Sequence, residues 1–326
     1  MATFQQLEAL EPDFVGDLVF QSEATPRSLE TTGTVYAEVD PITGGFAAWV
    51  GTNDTTVSVP IYNGRGKDLT LDNNGFQLIQ HNIPPINFYD HNEIVMKYYQ
   101  YVSSFVRETL NAYRVYCFDH VVRNSGVSMK YALKDGQKIG GPALVVHGDY
   151  SLRGGPTRTI NFTKPPAPDD SFKDLYGDRP LISTEEMEEL KGRRFAIVNL
   201  WRSFSDQPCV DMPLTFCDTR TTLKTDYSTV EFRYCDRMIE TYLGGHSAGQ
   251  RWFYYPELLS NEGILIKTYD SQGALFEDYL DYPYRLANAP LVPSTAVLHT
   301  AVKDPRLNGK DHAQRESIEV RCIVFY

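Results

Sequence analysis

In the segment GPALVVHGDY, residues 141–150, a histidine and an aspartate stand two positions apart at the end of an apolar run. Alternate side chains of an extended strand share a face, so Ala143, Val145, His147 and Asp149 point the same way. An imidazole and a carboxylate are thereby presented side by side. Joined by one further histidine, such a pair holds a metal on one octahedral face and leaves three positions for other ligands, the arrangement of non-haem iron(II) oxygenases. A His-x-Asp pattern is common by chance. Here an apolar strand precedes it, a third candidate ligand follows at long range, and an arginine follows that.

His246, His299 and His312 are the candidates for the third ligand. His246 sits in the turn-like LGGHSAG (243–249) and His312 in the polar run 308–314, whereas His299 ends the short apolar strand STAVLH (294–299). A strand end positions a ligand better than a turn, which favours His299.

The chain closes with RESIEVRCIVFY, residues 315–326. Alternation places Arg315, Ser317, Glu319 and Arg321 on one face and Ile318, Val320, Cys322 and Val324 on the other. A guanidinium and a hydroxyl two residues apart can clamp a carboxylate, the arginine as a two-pronged donor and the serine beside it. Alone, the pattern equally suits a solvated edge strand. Beside a metal site it has a ligand to hold, the far carboxylate of 2-oxoglutarate.

Four more residues are candidates for substrate binding. Trp201 suits core packing or stacking on a substrate. Arg202, inside an apolar strand, needs an anionic partner, which Asp218, Asp211 or a ligand could supply. His120 and Arg123, in FDHVVR (118–123), precede the metal strand and either line the cavity entrance or serve the structure.

Elements that could position these groups are legible as short β-branched and aromatic runs punctuated by Gly and Pro. Strands are expected at 34–39, 56–62, 143–150, 194–202, 229–234, 263–269 and 317–325. The aromatic run WFYY, 252–255, reads as a strand buried on both faces. Between Asn92 and Leu110, apolar residues at Ile94, Val95, Tyr98, Tyr101, Val102 and Phe105 form the stripe of an amphipathic helix. Ser183 and Glu186 stand in capping-box spacing before a short acidic helix. The excursion at about 160–192, with KPPAPDD at 164–170, suits either a lid or a packed surface insertion. The whole reads as one mainly β domain with flanking helices: an α/β portion at 1–112 packed on a strand-rich core at 113–326.

Composition narrows the function. The chain has 326 residues, 42% of them hydrophobic, enough for a substantial core, and 42 acidic against 31 basic residues give a net charge of −11. That charge repels phosphate backbones and anionic membranes, so neither nucleic acid nor membrane is an expected partner. Five scattered cysteines without a CxxC pair argue against a disulfide framework or structural zinc. With neither a secretory leader nor a membrane span visible, the expected location is cytoplasmic.

Seven stretches carry a resemblance: NGFQL (74–78), FDHVVR (118–123), HGDY (147–150), NLWR (199–202), RWFYYP (251–256), KTYDS (267–271) and RESIEVR (315–321). In this order they resemble the fungal and bacterial family of 2-oxoglutarate-dependent hydroxylases and desaturases, which includes gibberellin-desaturase-like proteins and relatives of a cephamycin-pathway component. The resemblance implies a double-stranded β-helix of jelly-roll or cupin type. It also implies iron(II), 2-oxoglutarate and dioxygen, with ascorbate as a reductant, acting on a small molecule of secondary metabolism. Carried over by position, His147, Asp149 and His299 are the metal ligands and Arg315 with Ser317 the cosubstrate clamp. The sixteen-residue gap from His299 to Arg315 is longer than is common among such oxygenases. Two other classes fit parts of the pattern: a metal-dependent hydrolase, which needs no clamp, and a non-enzymatic β-barrel binding protein, which needs neither clamp nor ligands.

Overall fold

Short apolar runs separated by turns assemble into two sheets in a computed structural model, which describes residues 11–40, 45–127, 132–134, 137–168, 170–235, 237–279, 286 and 289–326. The larger sheet has the order β1 (Phe14–Gln21), β4 (Asp54–Asn63), β14 (Trp252–Tyr254), β11 (Leu214–Cys217), β16 (His299–Ala301), β9 (His147–Gly148), β13 (Met238–Gly244), β12 (Tyr227–Arg233), β2 (Tyr36–Val39), β3 (Phe46–Val50). The smaller has the order β5 (Phe76–Gln80), β15 (Glu262–Asp270), β10 (Phe195–Ser203), β17 (Glu316–Phe325), β6 (Arg114–Asn124), β8 (Gln137–Gly140), β7 (Ala132–Lys134). The fold is mainly β with flanking helices, as expected.

Strand alternation explains how the layers stack. Leu18, Phe20 and Trp252 of the larger sheet meet Phe118, Ile197 and Ile323 of the smaller one in a shared core. The opposite face of the smaller sheet carries Val198, Leu200, Val320 and Cys322, which bury against Ile94, Val95, Tyr98, Val102 and Val106 of the helical run. That run is α at His91–Glu93, π at Ile94–Tyr98 and α at Tyr99–Thr109, and the Asp90 side chain caps its start. The wide turn leaves both Tyr98 and Tyr99 buried on the sheet. The short acidic helix Thr184–Leu190 begins with the complete capping box of Ser183 and Glu186. No helix among the described residues is long and apolar enough to cross a membrane.

Strands of the amino-terminal portion enter both sheets: β1 and β4 extend one edge of the larger sheet, β2 and β3 the other, and β5 pairs with β15 in the smaller sheet. Alternating strands at the amino end find open sheet edges to pair with, and pairing satisfies their backbone groups. The excursion at 160–192 is anchored from beneath, since Phe162, Phe172, Leu181, Ile182 and Leu190 join the inter-sheet core.

A buried ion cluster ties β15 to the residue that precedes β10. Lys267 Nζ lies 2.9 Å from Asp270 Oδ2, both side chains are wholly buried, and Arg194 Nη2 reaches the same oxygen at 2.6 Å. Lys267→Met takes one of two cations from the buried Asp270 and leaves Arg194, so it is expected to cost about 1–3 kcal/mol, less than a fully stranded charge would. A urea unfolding curve checks this. A loss below about 1 kcal/mol, the range of exposed pairs, would show that Arg194 alone suffices for Asp270.

Candidate metal centre

The inner face of the larger sheet gathers the candidate ligands. His299 pairs in register with His147, and the ligand atoms of His147, Asp149 and His299 all lie within 4.8 Å of one another. His147 Nε2 is 3.7 Å and His299 Nε2 3.9 Å from the same carboxylate oxygen, Asp149 Oδ1. The expected strand over 143–150 is only two residues long here, β9, and Val145 touches Val19 by an isolated parallel bridge. His246 and His312 lie exposed elsewhere, His246 edge-on to Phe20.

Tautomers follow from the outer partners. His147 Nδ1 donates to the Val145 carbonyl at 2.8 Å and His299 Nδ1 to that of Val297 at 3.1 Å. Each Nε2 is thereby left as a lone pair aimed at the cluster, the form a metal requires. Burial, then the nearby His299, pushes the His147 imidazole down to about 4, so it is neutral at physiological pH. Burial works against the Asp149 carboxylate, but Arg321, the two histidines and the Asn199 hydrogen bond outweigh it and hold the group well below the usual carboxylate range. Two imidazole nitrogens and one carboxylate oxygen are a donor set that fits a divalent first-row metal.

The facing strands of the smaller sheet form three cross-strand rows. Asn199, Arg321 and Asp119 are in register across β10, β17 and β6; Trp201, Glu319 and Val121 form the next row; Ser203, Ser317 and Arg123 the third. A register shift after Arg321 lets both Phe118 and Asp119 turn inward. Asn199 Nδ2 donates to Asp149 Oδ2 at 2.6 Å, and Arg321 Nη1 donates to Asp119 Oδ2 at 2.6 Å. Arg123 Nη1 donates to the Gly141 carbonyl at 2.6 Å, fastening the approach to β9. Glu319, half-buried, has its carboxyl raised by burial and by Asp149, against the opposing charges of Arg321 and Arg123.

Beyond the third row lies Arg315, fully buried. Its Nη1 donates to the Met212 carbonyl, whereas among the described residues Nε and Nη2 have no partner, and neither does the buried hydroxyl of Ser317. Burial draws the guanidinium down to about 10. Unpaired buried donors are costly, and an anion supplying two oxygens would satisfy them. The Trp201 ring lies beside this guanidinium, 5.8 Å from centroid to Cζ, and packs with Phe76 and Phe216.

Arg202 and His120 are elsewhere. Both occupy the face of the smaller sheet that meets the helices, for alternation sets Arg202 opposite Ile318 and His120 opposite Val320. Arg202 donates to the carbonyls of Ser260 and His81, and neither Asp218 nor Asp211 pairs with it. His120 is held between the Tyr99 hydroxyl at 2.8 Å and Gln137 Oε1 at 2.9 Å. Asn199, Glu319 and Asp119 were not among the expected site residues. A wholly buried asparagine in the apolar run FAIVNLW, on the same face as Trp201, was the available signal for the first.

Known proteins resemble the chain in sequence and fold. A family model described as oxidoreductase/YMDC permease-like domain matches residues 30–325. An uncharacterised protein in the dcmA 3'region of Methylophilus leisingeri is 32% identical over 192 residues, covering 56% of this chain and 88% of that protein. The Fe(II)/2-oxoglutarate-dependent dioxygenase nvfI of Aspergillus novofumigatus is 27% identical over 262 residues, 78% of this chain and 77% of its own. Among solved structures, the iron and alpha-ketoglutarate-dependent endoperoxidase NvfI superposes with a TM-score of 0.70 at 24% identity, covering 96% of this chain and 97% of that one. The shared fold is the double-stranded β-helix, or cupin-type jelly roll, of such oxygenases.

Proposed function

This chain belongs to the oxidoreductase/YMDC permease-like domain family, and from that premise we propose that it is a mononuclear iron(II)- and 2-oxoglutarate-dependent oxygenase acting on a small secondary metabolite or amino-acid-derived compound. The observation that carries the reading is the pairing of two features on facing sheets: a three-ligand cluster at His147, Asp149 and His299, and a buried guanidinium and hydroxyl at Arg315 and Ser317 with unsatisfied donors. A metal-dependent hydrolase would use the first and have no need of the second. A binding protein needs neither.

Each residue has a definite task. His147, Asp149 and His299 would hold the metal through two Nε2 atoms and one carboxylate oxygen. Arg315 and Ser317 would take the far carboxylate of 2-oxoglutarate, leaving its keto acid end to bind the metal. When bound, iron and 2-oxoglutarate supply with dioxygen an oxidant able to take hydrogen from an unactivated C–H bond, leaving succinate and carbon dioxide. Trp201 walls the clamp, and the dense aromatic core excludes water from it. Hydroxylation, desaturation and ring closure share that hydrogen removal, so the same protein groups serve any of them.

The direct test is anaerobic addition of iron(II) and then 2-oxoglutarate to the metal-free protein. A weak visible charge-transfer band that needs both components is expected. Tight metal binding with no band on adding 2-oxoglutarate would favour the hydrolase reading.

A further inference from the structure

The two oxygens of Asp149 have different surroundings. Oδ1 is the one near both histidine Nε2 atoms, at 3.7 and 3.9 Å. Oδ2 is turned to the opposite sheet, where Asn199 Nδ2 donates to it at 2.6 Å and Arg321 Nε approaches to 3.7 Å. Asn199 is wholly buried, and the guanidinium of Arg321 is itself pinned by Asp119, whose other oxygen accepts from Ser171 at 3.0 Å. Strand register sets Asn199, Arg321 and Asp119 side by side, which puts the Asn199 amide and the Arg321 guanidinium next to Oδ2.

Resting on the oxygenase reading above, we infer that Asn199 and Arg321 are positioning residues that keep Asp149 a one-oxygen ligand. The chemistry gives this a purpose. Three protein donors leave three metal positions, two for a keto acid and one for dioxygen. A carboxylate free to rotate could offer its second oxygen as well and compete for one of them. Hydrogen bonds to the outer oxygen of a ligand carboxylate also orient it, and losing such a contact typically weakens metal binding by about 10–100-fold.

The test compares wild type, Asn199→Leu, Asn199→Ala and His147→Ala as metal-free proteins titrated anaerobically with Mn(II), followed by calorimetry. Leucine keeps the branched shape of asparagine in a larger side chain without its donor, and alanine guards against misfolding from overpacking. Both Asn199 variants should bind Mn(II) about 10–100-fold more weakly. With metal saturating, they should also show a raised half-saturation for 2-oxoglutarate, measured as quenching of tryptophan fluorescence on binding. A merely structural asparagine would lower the melting temperature and leave both quantities near wild type, which would overturn the inference. Should His147→Ala bind Mn(II) as tightly as wild type, the metal centre itself is misplaced. Loss in His147→Ala with no change in the Asn199 variants rejects the positioning role alone.

Discussion

His147→Ala and Asp149→Ala are each expected to abolish 2-oxoglutarate-dependent turnover while leaving the fold in place. Each removes one of only three donors, and the remaining two cannot hold a metal against water in a site with open positions. Asp149 also carries the only negative charge that balances the metal within the ligand set. The fold should survive because neither side chain belongs to the apolar clusters that join the layers. Succinate formation at saturating iron(II), with the melting temperature as a check on folding, measures both. Substantial turnover by either folded variant would sink the assignment. His246→Ala supplies the contrast: its imidazole is exposed and lies edge-on to Phe20, away from the ligand cluster, so activity should persist. An inactive His246→Ala beside an active His299→Ala would mean that the third donor is the wrong histidine.

Arg315→Met should raise the half-saturation for 2-oxoglutarate by about one to two orders of magnitude. A charge-assisted contact contributes roughly 1.5–3 kcal/mol, which converts to about that factor in affinity. Methionine keeps much of the buried stem beside Trp201 and loses the fork. Metal affinity should be unchanged, for Arg315 is no ligand, and this separates its effect from that of Asn199. Ser317→Ala should follow the same pattern more weakly, because a neutral hydroxyl contributes less than a guanidinium. Succinate formation against 2-oxoglutarate concentration, with iron content measured separately, distinguishes the three proteins. An unchanged half-saturation in Arg315→Met would pass the role to Arg321 or Arg123, which share its face. Arg202 is out of reach on the other side of the sheet.

Strand periodicity was the most informative property of the chain and also the point where inference stopped. An alternation of two states which side chains travel together, so the groupings His147 with Asp149, and Arg315 with Ser317, Glu319 and Arg321, were legible from the sequence. So were the capped acidic helix and the amphipathic helical stripe, because both depend on contacts within a few residues. Alternation does not state which face of a strand meets which neighbour. Asn199 and Arg202 stand three apart on one strand and so on opposite faces. Only the packing of the helical run against Leu200 and Val320 decided that Arg202 looks outward and Asn199 toward Asp149.

The same holds for the third histidine and for the cross-strand rows. His299 stands opposite His147 because β16 pairs with β9 across a separation of 152 residues, a register that no local pattern encodes. Long-range pairing likewise set Asp119 opposite Arg321 and drew the first strands into both sheets. Residue types and spacing thus determined by themselves what chemistry the chain can perform. The tertiary structure decided which of several equivalent side chains perform it, since burial on one face of a sheet is a property of the partner laid against it and not of the strand.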